Sequence, residues 1–189
     1  MDTYPNFSLL LQHEHDFVIE QVDRGATTTI VAPHGGAIEP QTSDIARLIA
    51  GDDHNYFLFN GTKNADNDAL HITSHRWDHP SGLALVARSL RVITVHGCRA
   101  GEAVVIVGGR DVRLRDLIAE EMDRRSLPAV IGATGRHSGR HHRNICNRGL
   151  TGSGVQLEIS RPLRDDPSCW QALAGAVRTA ISRCRNRRG

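Results

Sequence analysis

Lysine is almost missing from this 189-residue chain: 22 of its 23 basic residues are arginine, and Lys63 is the exception. No apolar run approaches the roughly 18–20 residues that a bilayer-spanning helix needs, which excludes a helical membrane protein. The N-terminus, MDTYPNFSLLLQHEHD, lacks a basic leader and its apolar stretch is too short for a signal peptide. The expectation is a chain that stays in the cytoplasm as synthesised. Aromatics make up only 4% of residues and the formal net charge is +2. Both argue against a nucleic-acid binder, which wants a strong positive field and rings for base stacking. The four cysteines (Cys98, Cys146, Cys169, Cys184) form no C-x-x-C pair, and a chain this long buries a core without staples, so reduced thiols are expected.

What is present suits an ordinary soluble domain, with 39% hydrophobic and 23% charged residues and a mean hydropathy of −0.34. Strand-like and helix-like segments alternate, with no internal repeat or linker. Strands are predicted at 16–22, 27–32, 56–59, 70–73, 91–95, 103–107, 129–131 and 155–159. Helices are predicted from Thr42 or Ser43 as cap to Gly51, at 82–90, at 112–126, and from Trp170 to Ile181, before a basic tail. The stretch 132–154, rich in Gly, His and Arg and without periodicity, reads as a long working loop. This pattern predicts a single α/β domain over 1–189, with a mostly parallel, mixed sheet flanked by helices and a basic tail at 184–189.

Two predicted strands end alike, one in Pro33-His34-Gly35-Gly36 and the other in His96-Gly97. Ligands of open α/β sheets bind outside the carboxyl ends of the strands, so both histidines are expected at that crevice. Glu39 follows His34 by five residues. Two histidines and a glutamate make the protein ligand set of a catalytic zinc that keeps its fourth position for water. A hydrogen-bonded structural histidine is the competing reading of each strand end. Glu158, between Leu157 and Ile159, should face away from them, and a carboxylate in so apolar a strand needs a partner or a task. Acting as general base is one such task, and a salt bridge to one of the many arginines is the other.

Several motifs resemble the poly-γ-glutamate hydrolase family, a group often encoded by phages and prophages. They are H-G-G-A-I-E-P at 34–40, L-H-I-T-S at 70–74, H-G at 96–97, V-G-G at 107–109, N-I-C-N-R at 144–148 and G-V-Q-L-E-I-S at 154–160. They occur in family order across about residues 16–165. Ala37 and Gln41 stand where the family pattern has glycine, and the ligand spacing is H-x4-E where zinc carboxypeptidases have H-x-x-E. The resemblance implies a zinc carboxypeptidase-like fold and hydrolysis of γ-amide bonds in poly-γ-glutamate. It implies Zn²⁺ held by His34, Glu39 and His96, and Glu158 as the catalytic acid/base. An Asn-Arg pair binds substrate carboxylate in the carboxypeptidase superfamily, which implies that role for Asn147 and Arg148. Arg140 is a further candidate, with Arg136 and Arg143 in the same loop. The expected partner is the polyanionic polymer, met by a monomer after release by cell lysis. Alternatives are a zinc amidohydrolase or peptidase for cell-wall peptides, another γ-glutamyl compound or an N-acyl amino acid, and an Arg-rich nucleic-acid or polyanion-binding module. His75 and His79, with Pro80 after them, read as loop residues. His13 and His15 read as solvent-exposed, and Cys98 as a small buried hydrophobe. His137, His141 and His142 read as part of a polar, substrate-facing loop.

Overall fold

The computed structural model of the chain describes residues 2–186. Seven strands share one mixed sheet: β1 (Phe17–Val22), β2 (Thr28–Gly36), β3 (Asn55–Gly61), β4 (Arg91–Cys98), β5 (Val105–Gly109), β6 (Ala129–Ile131) and β7 (Val155–Ser160), in the order β1-β3-β2-β4-β7-β5-β6. The block β3-β2-β4-β7 is parallel. β1 runs antiparallel to β3, β5 runs antiparallel to β7, and β6 is parallel to β5.

The central strands are buried on both faces, which is why β2, β4 and β7 read as nearly continuous apolar or β-branched runs. Ile30, Ala32, Ile93, Val95, Leu157 and Ile159 point to one face. There they meet α2 (Thr42–Ala50), α4 (Val112–Asp123) and α6 (Trp170–Asn186) through Ile45, Ile49, Leu114, Ile118, Val177 and Ile181. Val31, Phe57, Phe59 and Val92 point to the other face, under α1 (Phe7–His13), α3 (Pro80–Ala87) and the Trp77 indole. Each of the buried Val, Leu, Ile and Phe side chains contributes about 1.5–3 kcal/mol of transfer free energy.

Four local expectations are corrected. Residues 70–73 are not a strand. A 3₁₀ turn, Asn67–Leu70, leads into an unpaired segment, and the alternation arises because Leu70 and Ile72 both bury against the second face. Helix α2 is not capped by Thr42 or Ser43, whose hydroxyls bond Glu39 O and Asn60 Oδ1; Gln41, with φ of 70°, takes the cap position. Helix α1 was unpredicted. Asn6 Oδ1 caps it by accepting from Leu9 N, and Phe7 and Leu10 bury beneath it. Helix α6 continues to Asn186 through the expected tail, and Arg183 pairs with Glu120 and Glu121. Arg187 and Arg188 lie outside the described residues. No helix among the described residues is long and apolar enough to cross a membrane.

Candidate active site

The site is built where β2, β4 and β7 end. In β2 the pairing with β3 slips between Ala32 and Gly35, so that Pro33 and His34 together oppose a single partner residue. Proline has no N–H for the ladder, and a bulge re-aims the side chain that follows. The chain then folds back on itself, with Ile38 N donating to Gly35 O and Glu39 N donating to His34 O at 2.8 Å. Gly36 permits this turn: its φ is +62°, and a Cβ there would lie 2.4 Å from Gly61 O. The turn explains how the H-x4-E spacing works, because it folds Glu39 back beside His34.

Three donor groups converge. His34 Nδ1 lies 3.2 Å from Glu39 Oε1 and 3.2 Å from His96 Nδ1, and His96 Nδ1 lies 3.8 Å from Glu39 Oε2. A tetrahedral ion with bonds of about 2.0–2.1 Å separates its ligand atoms by about 3.3 Å. His34 Nε2 sits 2.8 Å from Ile72 O; a carbonyl only accepts, so Nε2 carries hydrogen and Nδ1 faces the cluster. Metal-bound histidines commonly have such an outer partner. Gly97 N donates to Glu39 Oε2 at 2.8 Å, and Ser74 Oγ stands 3.4 Å from His96 Nε2.

The electrostatics call for one positive charge at the centre. Burial works against an ionised Glu39, yet His34, His96 and the Gly97 N–H outweigh it and hold the carboxyl at about 2. Burial also opposes a charged His34, but Glu39 raises it above the usual histidine value. His96 falls to about 3 through burial, against the pull of Glu39 and with the repulsion of His34. A lone pair and a carboxylate aimed at one buried point fit a divalent cation.

His71 joins this cluster. Its ring stacks on His34 with centroids 4.0 Å apart, and His34, Glu39 and His71 each bring one ligand atom within 4.8 Å of the others. Asp2 Oδ1 accepts from His71 Nδ1 at 3.0 Å.

Glu158 faces the same point from the neighbouring strand. It is paired in register with His96 on one side and Ile106 on the other, on the face opposite Leu157 and Ile159. Its Oε1 accepts from Gln156 Nε2 at 2.7 Å, and Gln156 Oε1 accepts in turn from Asn144 Nδ2 at 2.7 Å. Its Oε2 stands 3.3 Å from His137 Nδ1. Burial raises the Glu158 carboxyl above its usual range despite His137, and the carboxylate in return raises His137.

These residues floor a cleft of about 1540 Å³. Arg140 lines it, with Arg99, Arg136, Arg161 and Arg164. Asn147 and Arg148 do not. Asn147 is buried and fully used, donating to Gly139 O and His141 O and accepting from Gly154 N, so it ties the long loop together. Arg148 turns away to donate to Trp77 O. Arg143 is also off the cleft. His75 and His141 line the rim, while His79 is buried against Phe7 and Phe57. All four cysteines are free, and Cys98 is buried.

Sequence reasoning did not single out Asp2 or Arg164, and it placed His137 only in a polar, substrate-facing loop, not beside Glu158. His71 and Gln156 lay inside quoted motifs, which is the signal that could have found them. Asp2 carried none, being separated by 69 residues from the histidine it holds.

Known proteins share this arrangement of chain. Residues 4–170 match the poly-gamma-glutamate hydrolase family. The UPF0714 protein YmaC of Bacillus subtilis (strain 168) is 34% identical over 168 residues, covering 87% of this chain and 71% of YmaC. YndL of the same organism is 35% identical over 167 residues, covering 86% of this chain and 66% of YndL, so the chain spans just under two thirds of that relative. The solved structure of a bacteriophage poly-gamma-glutamate hydrolase superposes with a TM-score of 0.92 at 26% identity, covering 98% of this chain and 99% of that one. A zinc-free structure of YndL also gives 0.92, at 27% identity and 97% and 99% coverage. With a match that takes in residues 4–170 and a backbone shared nearly end to end with the bacteriophage enzyme, the chain belongs to the poly-gamma-glutamate hydrolase family.

Proposed function

We propose that the chain is a zinc-dependent hydrolase that cleaves γ-glutamyl amide bonds of poly-γ-glutamate. The observation that carries this reading is the convergence of His34 Nδ1, His96 Nδ1 and Glu39 on one buried point, with Glu158 facing it from the adjacent strand. His34, Glu39 and His96 would hold the zinc, with His71 at its edge. Zinc, when bound, supplies Lewis acidity and lowers the pKa of water to about 7.

The chain's own residues do the rest. Gln156 fixes Glu158 through Oε1, and Oε2, beside His137, is the oxygen that takes the proton from the attacking water. The water oxygen bonds to the amide carbon, the C–N bond breaks, and Glu158 returns the proton to the departing amine. A carboxyl raised by burial is suited to both halves of that transfer. Every residue of the polymer keeps a free α-carboxylate. Arg136 and Arg140 on the cleft wall, exposed and without a carboxylate partner among the described residues, are placed to receive such groups.

The test is release of new amino groups from poly-γ-glutamate by zinc-loaded protein, read with an amine-reactive fluorophore. Steady release that disappears in Glu158→Gln supports the reading. No release from the zinc-loaded protein would remove it.

A further inference from the structure

Arg164 is the one cleft arginine that is buried, at 5% exposure. It closes α5 (Arg161–Arg164), directly after β7. A buried guanidinium ordinarily has a carboxylate against it, because leaving a charge unpaired away from water is costly. Among the described residues no carboxylate lies at ion-pair distance from it, although Glu39 and Asp165 act on it from further off. Its Nη1 donates to Pro40 O at 2.6 Å and its Nε to Ile159 O at 3.1 Å. Nη2 has no protein acceptor among the described residues, yet it is not sealed from the cleft, which Arg164 lines. Both carbonyls are backbone, so the fork is rigidly aimed.

Its position is next to the reacting centre. The guanidinium lies flat against Gly97, where a Cβ would come within 2.7 Å of Cζ and 2.9 Å of Nη2. Gly97 follows His96 and donates to Glu39. Any side chain there would push the guanidinium aside, so the absence of one at Gly97 serves Arg164 as well as the backbone. The other cleft arginines differ: Arg161 pairs with Asp165 and Arg99 with Asp68 at the surface, while Arg136 and Arg140 are exposed on the far loop.

We infer that Arg164 is a substrate-binding residue whose free arm holds the α-carboxylate of the γ-linked glutamate immediately flanking the scissile bond. It thereby fixes which amide carbon reaches the centre. This rests on the hydrolase reading above. A carboxylate at Nη2 supplies the direct ion pair that Glu39 and Asp165 do not make, and two backbone carbonyls preset the fork, so little ordering remains to be done on binding.

The test compares poly-γ-glutamate with the same polymer after conversion of its α-carboxylates to carboxamides, on the unsubstituted protein and on Arg164→Gln. The expected result is a KM for the acid polymer raised about 10- to 100-fold in Arg164→Gln, with kcat changed only a few-fold. On the amidated polymer the two proteins should agree within about threefold, and Arg164→Lys should recover part of the loss. Equal losses on both polymers, or a loss confined to kcat, would make Arg164 a clamp on Pro40 and Ile159 and overturn the inference. A second measurement needs no variant and no turnover. In the metal-free, unsubstituted protein, the Arg164 Nε–H resonance should shift saturably with γ-linked triglutamate and stay put with its α-amidated form. An unmoved resonance overturns the inference whatever the hydrolase assay shows. A saturable shift with no cleavage by zinc-loaded protein would count against the hydrolase reading alone.

Discussion

Replacing Glu158 by glutamine separates its chemical task from its structural one. The glutamine oxygen can still accept from Gln156 Nε2, as Glu158 Oε1 does at 2.7 Å, and its amide can donate to His137 Nδ1 where Oε2 now stands at 3.3 Å. The packing is therefore kept. The upward shift of the carboxyl says that burial and the neighbouring Glu39 charge cost more than His137 and His34 return. A group whose folded pKa is raised destabilises the fold above its unfolded value and is neutral below it. Glu158→Gln should accordingly be as stable as the unsubstituted protein or more so at neutral pH, by up to about 1 kcal/mol, and match it below about pH 4. Turnover should fall about 10²- to 10⁴-fold, or about 3–5 kcal/mol of barrier, because a general acid/base is lost. His137, now raised by Glu158, should titrate at lower pH in the variant, as followed by its ring proton resonance in the metal-free protein. The assay set is kcat on poly-γ-glutamate, zinc per chain, the melting curve and that titration. A variant with full zinc, normal stability and near-normal kcat would refute the role given to Glu158.

Three further perturbations probe other parts of the account. Glu39→Gln keeps an acceptor for Gly97 N–H but removes the charge beside His34, so zinc affinity, read by competition with a chromogenic chelator, should fall by at least about 10²-fold. Unchanged affinity would exclude Glu39 as a ligand. Arg148→Ala loses one bond to Trp77 O outside the cleft, which predicts a KM within about twofold of normal and a stability loss of about 0.5–1 kcal/mol; a large KM rise at normal stability would contradict that placement. Glu121 accepts from Arg125, Arg183 and Arg124, which together hold its carboxyl below the usual range. Its contribution is therefore present above the unfolded value and lost as pH falls through the lower folded one. Glu121→Gln should cost about 1–2 kcal/mol in urea melts at pH 7 and progressively less in acid; a gap that widened in acid would reverse the sign argued here.

Much of the fold was legible because the sheet is buried on both faces. β2, β4 and β7 announce themselves as apolar runs, and α4 and α6 as stripes at helical spacing. The segment 70–73 misled because a cover strand and a cover loop bury alternate residues in the same way, and only pairing tells them apart. The α2 cap misled because Thr42 and Ser43 offer hydroxyls that the fold spends on Glu39 and Asn60. At the site, His34, Glu39, His96 and Glu158 could be named because each sits in a short motif at a strand end. Arg164 could not, coming from an ordinary-looking R-P-L-R, and His137 was legible only as one of several polar residues in an aperiodic loop. Their significance lies in what they lie against, Gly97 and Glu158, and such contacts leave no periodic trace. Asn147 shows the reverse case, a motif residue whose polar atoms the loop itself consumes.

Polymer chain length reports directly whether zinc at His34, Glu39 and His96 supports cleavage. Poly-γ-glutamate is incubated with the protein as purified, with a chelator, and with the chelated protein resupplied with zinc, and each product is sized by gel filtration. Shortening should stop with chelator and return with zinc. Polymer of unchanged length in the presence of zinc-loaded protein would contradict zinc-dependent cleavage.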